Sequence, residues 1–415
     1  MAGQRTASSR LTQRLLGCAL GFYVASVLVG LALRVEFVRP LGLFDFGNAL
    51  HAHSHTLYFG WLGLGIVTLA FRAVGASAKA TLWAGASLSV VTAAGFVSFL
   101  EGGYSVPSIV LSTLTLFVWG GIAVAFFRAA RGQKGVWLSF IRTGFAYIAL
   151  AALGASGRVV LLATGANAPL EGKLAVFAFL HCFGWFFAFS TVGLLLRHLE
   201  SLGVKLDTTW LKRALPLLAA TAWLGFPLGV PGGAEGLLGV AARVGVVVAA
   251  AACLTWVVAL ASAARQLRGP VRAAVWLCAG WLGLKLLMEG VGATGLVPHA
   301  AALRHPVILY LHVELVGFIT TALFIPLLSM LRRPFGAGLW LHTGGLAVMA
   351  FGLALLSGAM MGIPLLSATF VPALWLSAIG GAGIVAAGVL YLLPVRLLPA
   401  AHSQRAGTAL NPEAH

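Results

Sequence analysis

Three histidines stand at alternate positions in the stretch NALHAHSHTLYFGW, residues 48–61: His51, His53 and His55. Neutral imidazole binds haem iron, copper and zinc, so histidines grouped at the start of an apolar run indicate a ligand site. In a helix, His51 and His55 lie four residues apart on one face, whereas His53 points away from it. We therefore expect at most one or two of the three to serve the same ligand.

A related pattern occurs twice more along the chain. His55, His181 and His312 each precede a glycine and an aromatic residue, in the stretches HTLYFGW, HCFGW and HVELVGF. The three histidines are separated by 126 and 131 residues, each close to a third of the chain. Such a spacing predicts a threefold pseudo-repeat. The expected repeats cover about residues 16–130, 138–263 and 270–396.

Composition determines which elements carry these histidines. Of the 415 residues, 60% are hydrophobic and only 9% are charged, and the mean hydropathy is +0.98, which excludes a water-soluble globular protein. The apolar runs have the length of membrane-crossing helices, not of barrel strands. We predict an all-α polytopic membrane bundle, one domain over residues 1–400, with a disordered tail at 401–415. The twelve predicted spans are 16–34, 49–71, 79–100, 107–127, 138–163, 173–196, 211–231, 236–262, 272–292, 306–330, 338–358 and 368–394.

Lysine and arginine are distributed unevenly between the two sides of the predicted bundle. With the N-terminus inside, 20 of the 27 fall on the cytoplasmic side, as the positive-inside rule requires. Both termini should therefore be cytoplasmic, in a bacterial inner membrane. His55, His181 and His312 should then share a plane roughly 10 Å below the outer surface. The net charge of +17 is spread over short loop clusters, so we expect contact with lipid headgroups and no nucleic-acid partner.

A haem is one ligand that such a plane of imidazoles can hold. It needs two opposed histidines, glycines that let the macrocycle approach the backbone, apolar walls and cationic partners for its propionates. The alternative is that the histidines pack against neighbouring helices and that outer-side cations extend to the headgroups. Among seven outer-side cations, the favoured propionate partners are Arg158, Arg243 and Arg304.

Acidic residues near the same plane predict further contacts. Lys285 and Glu289 are four residues apart near the outer end of the ninth span and are expected to pair with each other. Glu314 follows His312 by two residues, so it should face a different neighbour. A buried ion pair is the favoured interpretation of Lys285 and Glu289, over a proton path or a propionate contact.

Four stretches, HAHSHTLYFGW, GFVSFLEGGYS, FLHCFGWFFAF and LYLHVELVGFITT, carry a family resemblance. Together with the twelve spans they resemble subunit I of the haem-copper oxidases, which include the nitric oxide reductase catalytic subunits. More closely, they resemble an uncharacterised, divergent bacterial branch of that superfamily. The resemblance implies a low-spin haem b bound by His55 and His312, with His53 as the alternative to His55. It also places His181 on the helix that supplies the family's first copper ligand.

The chain departs from that family at the copper site. The seventh span, LPLLAATAWLGFPLGVPGG, has no histidine, the sixth has no His-Pro-Glu signature, and the tenth offers His312 with only His305 two turns earlier. We therefore expect no complete dioxygen-reducing centre. A haem accompanied by a three-histidine metal site remains compatible with the sequence. The residues for that metal site are His51, His181 and His305.

Three functions are consistent with these features. The first is a redox or gas-handling haemoprotein that works with an electron donor or another membrane subunit. The second is a transporter or chaperone for copper or another metal that uses the same histidines. The third is a structural or assembly subunit in which the histidines only pack.

Overall fold

The computed structural model describes residues 2–166, 168–233, 235–295 and 304–393, and within them every regular element is a helix. The predicted tail, 401–415, lies outside the described residues. Helices are expected here because a chain in lipid must pair its amides internally. The long helices are α1 (Ala2–Glu36), α2 (Phe46–Ala73), α3 (Ala78–Gly102), α4 (Val106–Ala129), α5 (Val136–Ala163), α6 (Pro169–Ser201), α7 (Thr209–Thr221), α8 (Gly236–Gln266), α9 (Gly269–Thr294), α10 (His305–Leu331), α11 (Gly336–Met360) and α12 (Phe370–Leu392).

Eleven helices in the described ranges are long and apolar enough to cross a membrane. They include all of the labelled helices except α7. The described chain is therefore an all-helical, multi-pass membrane bundle, as composition and run length predict. Ten of the eleven coincide with predicted spans within about five residues at either end, whereas α1 begins at Ala2, well before the predicted start of the first span at residue 16.

The seventh predicted span, residues 211–231, is irregular. Its helix α7 has 13 residues, and a 3₁₀ helix, Ala222–Gly229, continues it. Pro227 lies inside that segment and cannot donate a backbone hydrogen bond. Runs of 3₁₀ helix beyond three or four residues are uncommon because their hydrogen bonds have poorer geometry. A segment of this kind offers backbone carbonyls to side-chain donors.

Helices that are neighbours in sequence also pack together. α5 lies along α6, α8 along α9 and α11 along α12, while α1 contacts both α2 and α12. Gly345 and Gly380 allow α11 and α12 to approach closely, because a Cβ on Gly345 would lie 2.6 Å from the Gly380 carbonyl oxygen. Small residues let helix backbones meet in this way in lipid. The packing places α1, α11 and α12 around α2 and α10.

α2 and α10 share a backbone distortion. Residues Thr56–Gly63 of α2 are π-helical and follow His55 directly, and residues His312–Thr320 of α10 are π-helical from His312 onward. π-Helical turns are rare and occur frequently at functional sites. The distortion thus lies in two of the three helices whose histidines the sequence pattern singles out.

Candidate functional site

A cavity of about 120 Å³ lies between α1, α2, α10, α11 and α12. Its lining is mostly aliphatic, and it includes His53 of α2 and His312 of α10. His55 does not line it. The structure therefore brings His312 together with His53, the residue that the sequence pattern ranks behind His55.

Ser26 of α1 fixes the ring of His53 by hydrogen bonds. The His53 Nδ1 atom lies 2.8 Å from the carbonyl oxygen of Ser26, and the Ser26 hydroxyl donates to the His53 carbonyl at 3.0 Å. A carbonyl oxygen only accepts hydrogen bonds, so Nδ1 carries the proton. The Nε2 atom is then left with its lone pair.

The ring of His312 is fixed in the same way. Its Nδ1 atom donates to the carbonyl oxygen of Ile308, one turn earlier in α10, at 2.7 Å. Its Nε2 atom is therefore also unprotonated. Histidines that ligate a metal usually donate their other ring N–H to a carbonyl or carboxylate, which fixes both tautomer and ring orientation. His53 and His312 have this arrangement and line one cavity.

One face of α1 shapes the cavity around these rings. Ser26, Gly30 and Arg34 follow each other at intervals of four residues, so they lie on a single helical face. A Cβ on Gly30 would lie 2.8 Å from Cε1 of His53, closer than real Cβ contacts come, so a side chain there would displace the imidazole. Arg34 lines the cavity with only 6% of its surface exposed. Its guanidinium carbon lies 5.5 Å from the ring centroid of Phe37.

Side-chain donors stabilise the π-helical part of α10. Thr320 donates to the Leu315 carbonyl at 2.8 Å, and Trp61 of α2 donates to the Thr320 hydroxyl at 2.9 Å. His342 of α11 donates from Nε2 to the carbonyl of Val316 at 3.1 Å. A π segment breaks the regular α-helical pairing, and such donors satisfy carbonyls in it. The distorted segment that follows His312 is thereby held by α2 and α11.

His51 and His55 face away from the cavity, towards the end of α3. The ring centroid of His55 lies 4.1 Å from that of Phe99, and the ring centroid of His51 lies 4.5 Å from that of Tyr104. Both histidines contact both aromatic rings. The prediction that His51 and His55 share a face opposite to His53 is confirmed.

His181 and His305 occupy separate environments. His181 Nε2 lies 2.7 Å from the carbonyl of Ala222, the first residue of the 3₁₀ segment, so it donates to the backbone there. His305 is buried, and its ring centroid lies 6.0 Å from that of Phe37. In the described ranges no group of three or more His, Cys, Asp or Glu side chains could hold a metal ion. The proposed trio of His51, His181 and His305 is not assembled.

A buried cluster of charged residues joins α9 to the part of α10 that carries His312. Lys285 Nζ is 2.6 Å from Oε1 of Glu289 and 3.7 Å from Oε1 of Glu314, and the Tyr310 hydroxyl donates to Glu289 at 2.8 Å. The ammonium also lies 4.6 Å from the ring centroid of Trp185. The predicted pairing of Lys285 with Glu289 is confirmed, as is the different orientation of Glu314. This cluster connects α9 to α10 and to α6.

The three arginines favoured as propionate partners lie elsewhere. Arg158 packs its guanidinium against Gly172, between α5 and α6, and Arg243 is exposed on α8. Arg304 begins the helical segment Arg304–Leu311, and its side chain lies outside the described part. Their charge and their predicted depth suggest Arg158 and Arg243 as propionate partners, but α5 and α8 do not border the cavity. Arg34 is the arginine that lines it.

No protein-family model matches this chain, and no curated protein matches it. Function is therefore inferred from the geometry of its own residues.

Sequence reasoning missed the contribution of α1. It counted Arg34 only as one of seven outer-side cations, and it did not consider Ser26 or Gly30. The signal was present, since a small residue, a glycine and an arginine recur at four-residue intervals in the first span. His342 lies near the start of its span and outside the histidine pattern, so the sequence does not indicate its contact with Val316 in the π segment.

Proposed function

We propose that this protein is a membrane haemoprotein in which His53 and His312 bind one haem b. One observation carries the proposal: two histidines from α2 and α10, each with Nδ1 bonded to a carbonyl, line a single cavity. The resemblance to subunit I of the haem-copper oxidases supports the same pair of helices. His53 replaces His55 as the ligand on α2.

The cavity residues are chemically suited to a haem, but some of their side chains must move to make room for it. Two neutral imidazoles suit haem iron, and Gly30 of α1 and Gly381 of α12 are two lining positions that carry no side chain. A volume of about 120 Å³ is smaller than a porphyrin. Flexible lining side chains, Leu31, Leu311 and Met349, must therefore rotate away when the macrocycle enters.

The chain's own groups would determine what the site does. A bound haem supplies one-electron exchange at its iron. His53 and His312 would hold the haem between them, and a haem held by two histidines would favour electron transfer over the binding of dioxygen or nitric oxide. Arg34 would pair with a propionate by a charge-assisted hydrogen bond, and the apolar walls would exclude water.

The finer topology belongs to the same proposal. Three pseudo-repeated four-helix arcs with cytoplasmic termini, in a bacterial inner membrane, would place His53 and His312 in the outer third of the bilayer. The π segments in the second and tenth spans are consistent with related positions in two of the arcs. An electron donor or another membrane subunit would then be needed on the outer side.

The alternative functions receive less support. A copper transporter built on His51, His181 and His305 would need these residues to converge, yet His181 bonds to Ala222 while His51 packs on Tyr104. A purely structural subunit would not need two unprotonated Nε2 atoms at one cavity.

Optical spectroscopy tests the proposal. The protein, produced in cells supplied with a haem precursor and purified in detergent, should show a Soret band and a sharp α band on reduction. Single substitutions His53→Ala and His312→Ala should each abolish the six-coordinate spectrum. His55→Ala is the matched control, because it removes a histidine two residues away on the same helix, and it should leave the spectrum intact.

Three results would contradict the proposal. A wild-type protein that folds yet binds no haem would refute it outright. A full six-coordinate spectrum in both His53→Ala and His312→Ala would show that the haem, if present, has other ligands. Loss of the spectrum in His55→Ala alone would return the assignment to His55.

A further inference from the structure

His51 and His55 form a second pair of imidazoles outside the cavity. They lie on one face of α2 at positions i and i+4, the spacing at which two histidines of a single helix can bind the same metal ion. The ring of His51 contacts Tyr104, and the ring of His55 contacts both Phe99 and Tyr104. The aromatic rings hold the two imidazoles against the end of α3.

The ring nitrogens of His55 have no partner in the described structure. Both Nδ1 and Nε2 are shielded from solvent, and neither makes a hydrogen bond with a described group. Buried polar atoms are nearly always bonded, so an imidazole with two unsatisfied nitrogens indicates a bound water or ion. His53, His181, His312 and His342 each have a ring nitrogen bonded to a backbone carbonyl, so His55 differs from these four.

The turn between α3 and α4 closes over this pair. Gly103 has a positive φ of 55°, and a Cβ there would collide with the side-chain oxygen of Asn48. Asn48 precedes His51 by three residues and His55 by seven, so all three lie on the same face of α2. Tyr104 follows in the turn and is 60% exposed. The site is therefore built between a helix face and a tight turn, with the exposed Tyr104 and the half-buried His51 at its edge on the surface of the bundle.

We propose that His51 and His55 bind a late first-row divalent metal ion, Cu²⁺ most tightly, at this surface of the bundle. Imidazole nitrogens suit copper and zinc, and affinity rises towards Cu²⁺ in the divalent series. The two histidines supply two ligands, and water completes the coordination. The site is separate from the cavity and uses neither haem ligand.

Copper titration of the detergent-purified chain, made without a polyhistidine tag, tests this proposal. Cu²⁺ alone is the probe, and binding is followed by calorimetry and by electron paramagnetic resonance. We expect one equivalent to bind with nitrogen splitting from two imidazoles. His51→Ala and His55→Gln should each weaken binding by about tenfold or more, and the double variant should lose the two-nitrogen signal. Glutamine in place of His55 fills much of its volume, so packing against Phe99 is kept.

His198→Ala is the matched control, since it removes a half-buried histidine of α6 far along the chain. It should bind copper as wild type does. Equal copper binding and an unchanged signal in the double variant would show an adventitious metal only and overturn the proposal, as would the absence of one-equivalent binding in wild type. Repeating the titration with His53→Ala separates the two sites: copper should still bind there even if no haem does.

Discussion

Tyr23 of α1 and His342 of α11 are joined by a buried hydrogen bond, with the tyrosine hydroxyl 2.9 Å from Nδ1 of the histidine. Because Nε2 of the same ring donates to the carbonyl of Val316, Nδ1 is the acceptor and Tyr23 is the donor. Val316 lies in the π segment of α10 that starts at His312. A single imidazole therefore fastens α1 and α11 to the distorted part of α10.

Substitution His342→Phe should lower stability without removing the haem. It leaves the Val316 carbonyl and the Tyr23 hydroxyl without this partner inside the bundle, which costs about 1–3 kcal/mol. Unfolding in increasing fractions of sodium dodecyl sulfate measures the change. Tyr23→Phe should cost less, and a double-mutant cycle should show coupling between the two positions. Additive effects would mean that the hydrogen bond contributes little.

Substitution Gly30→Ala should disturb His53, the proposed haem ligand on α2. The new methyl group would meet Cε1 of His53 at 2.8 Å, while Ser26 fixes the same ring from the backbone. We expect a loss of about 1–3 kcal/mol from overpacking and a smaller fraction of six-coordinate haem in the optical spectrum. Gly21→Ala is the control on the same helix, because a Cβ there has no neighbour within 4 Å. Identical spectra for the two variants would argue against His53 as a ligand.

If the proposed haem is bound, substitution Arg34→Leu should lower its midpoint potential. Removing a buried cation that lines the cavity favours the ferric form, which carries one more positive charge. A tenfold change in the one-electron equilibrium corresponds to a fall of about 60 mV, and we expect an effect of that order in a redox titration. Arg34→Lys keeps the positive charge and should lower the midpoint potential much less than Arg34→Leu does, whereas Arg243→Leu should leave the midpoint potential unchanged. Equal midpoint potentials in Arg34→Leu and in the wild type would show that the propionates do not lie beside Arg34.

Substitution Lys285→Met should be severely destabilising. It removes the ammonium that lies between the carboxylates of Glu289 and Glu314, and breaking a buried ion pair in this way costs about 3–5 kcal/mol. Adding Glu289→Gln and Glu314→Gln to the same protein should restore much of the stability, because no uncompensated carboxylate remains. Lys173→Met, at an exposed position, is the control. The measurement is the melting temperature in detergent, and equal losses in the single and triple variants would contradict the explanation.

The fold class followed from composition, because apolar runs of about twenty residues in lipid can only become helices. Helical geometry also correctly predicted that His53 faces away from His51 and His55, and that Lys285 pairs with Glu289. The choice between His53 and His55 could not be made in this way. Both lie at similar depth, and which one meets α10 depends on how α2 is rotated against α1, a property of packing at Gly30 that the single helix does not encode.

The cationic partner shows a second limit. Arg158, Arg243 and Arg34 share charge and approximate depth, so hydropathy treats them alike. Only the arrangement of helices distinguishes them, since α1 borders the cavity and α5 and α8 do not. His342 likewise bonds to Val316 in a π segment that contains no proline, so neither periodicity nor a helix-breaking residue predicts the arrangement.

A π turn contains one residue more than an α turn, so a segment such as Thr56–Gly63 is what a single inserted amino acid leaves behind in a helix. Removing one residue there would return α2 to regular winding and turn the half that follows the π segment by about 100° relative to the histidines. The π segments of α2 and α10 thus set the rotation of one half of each helix against the half that carries His53 or His312. Insertion or deletion of a residue at these segments would reorient the side chains beyond them and leave the imidazoles in place.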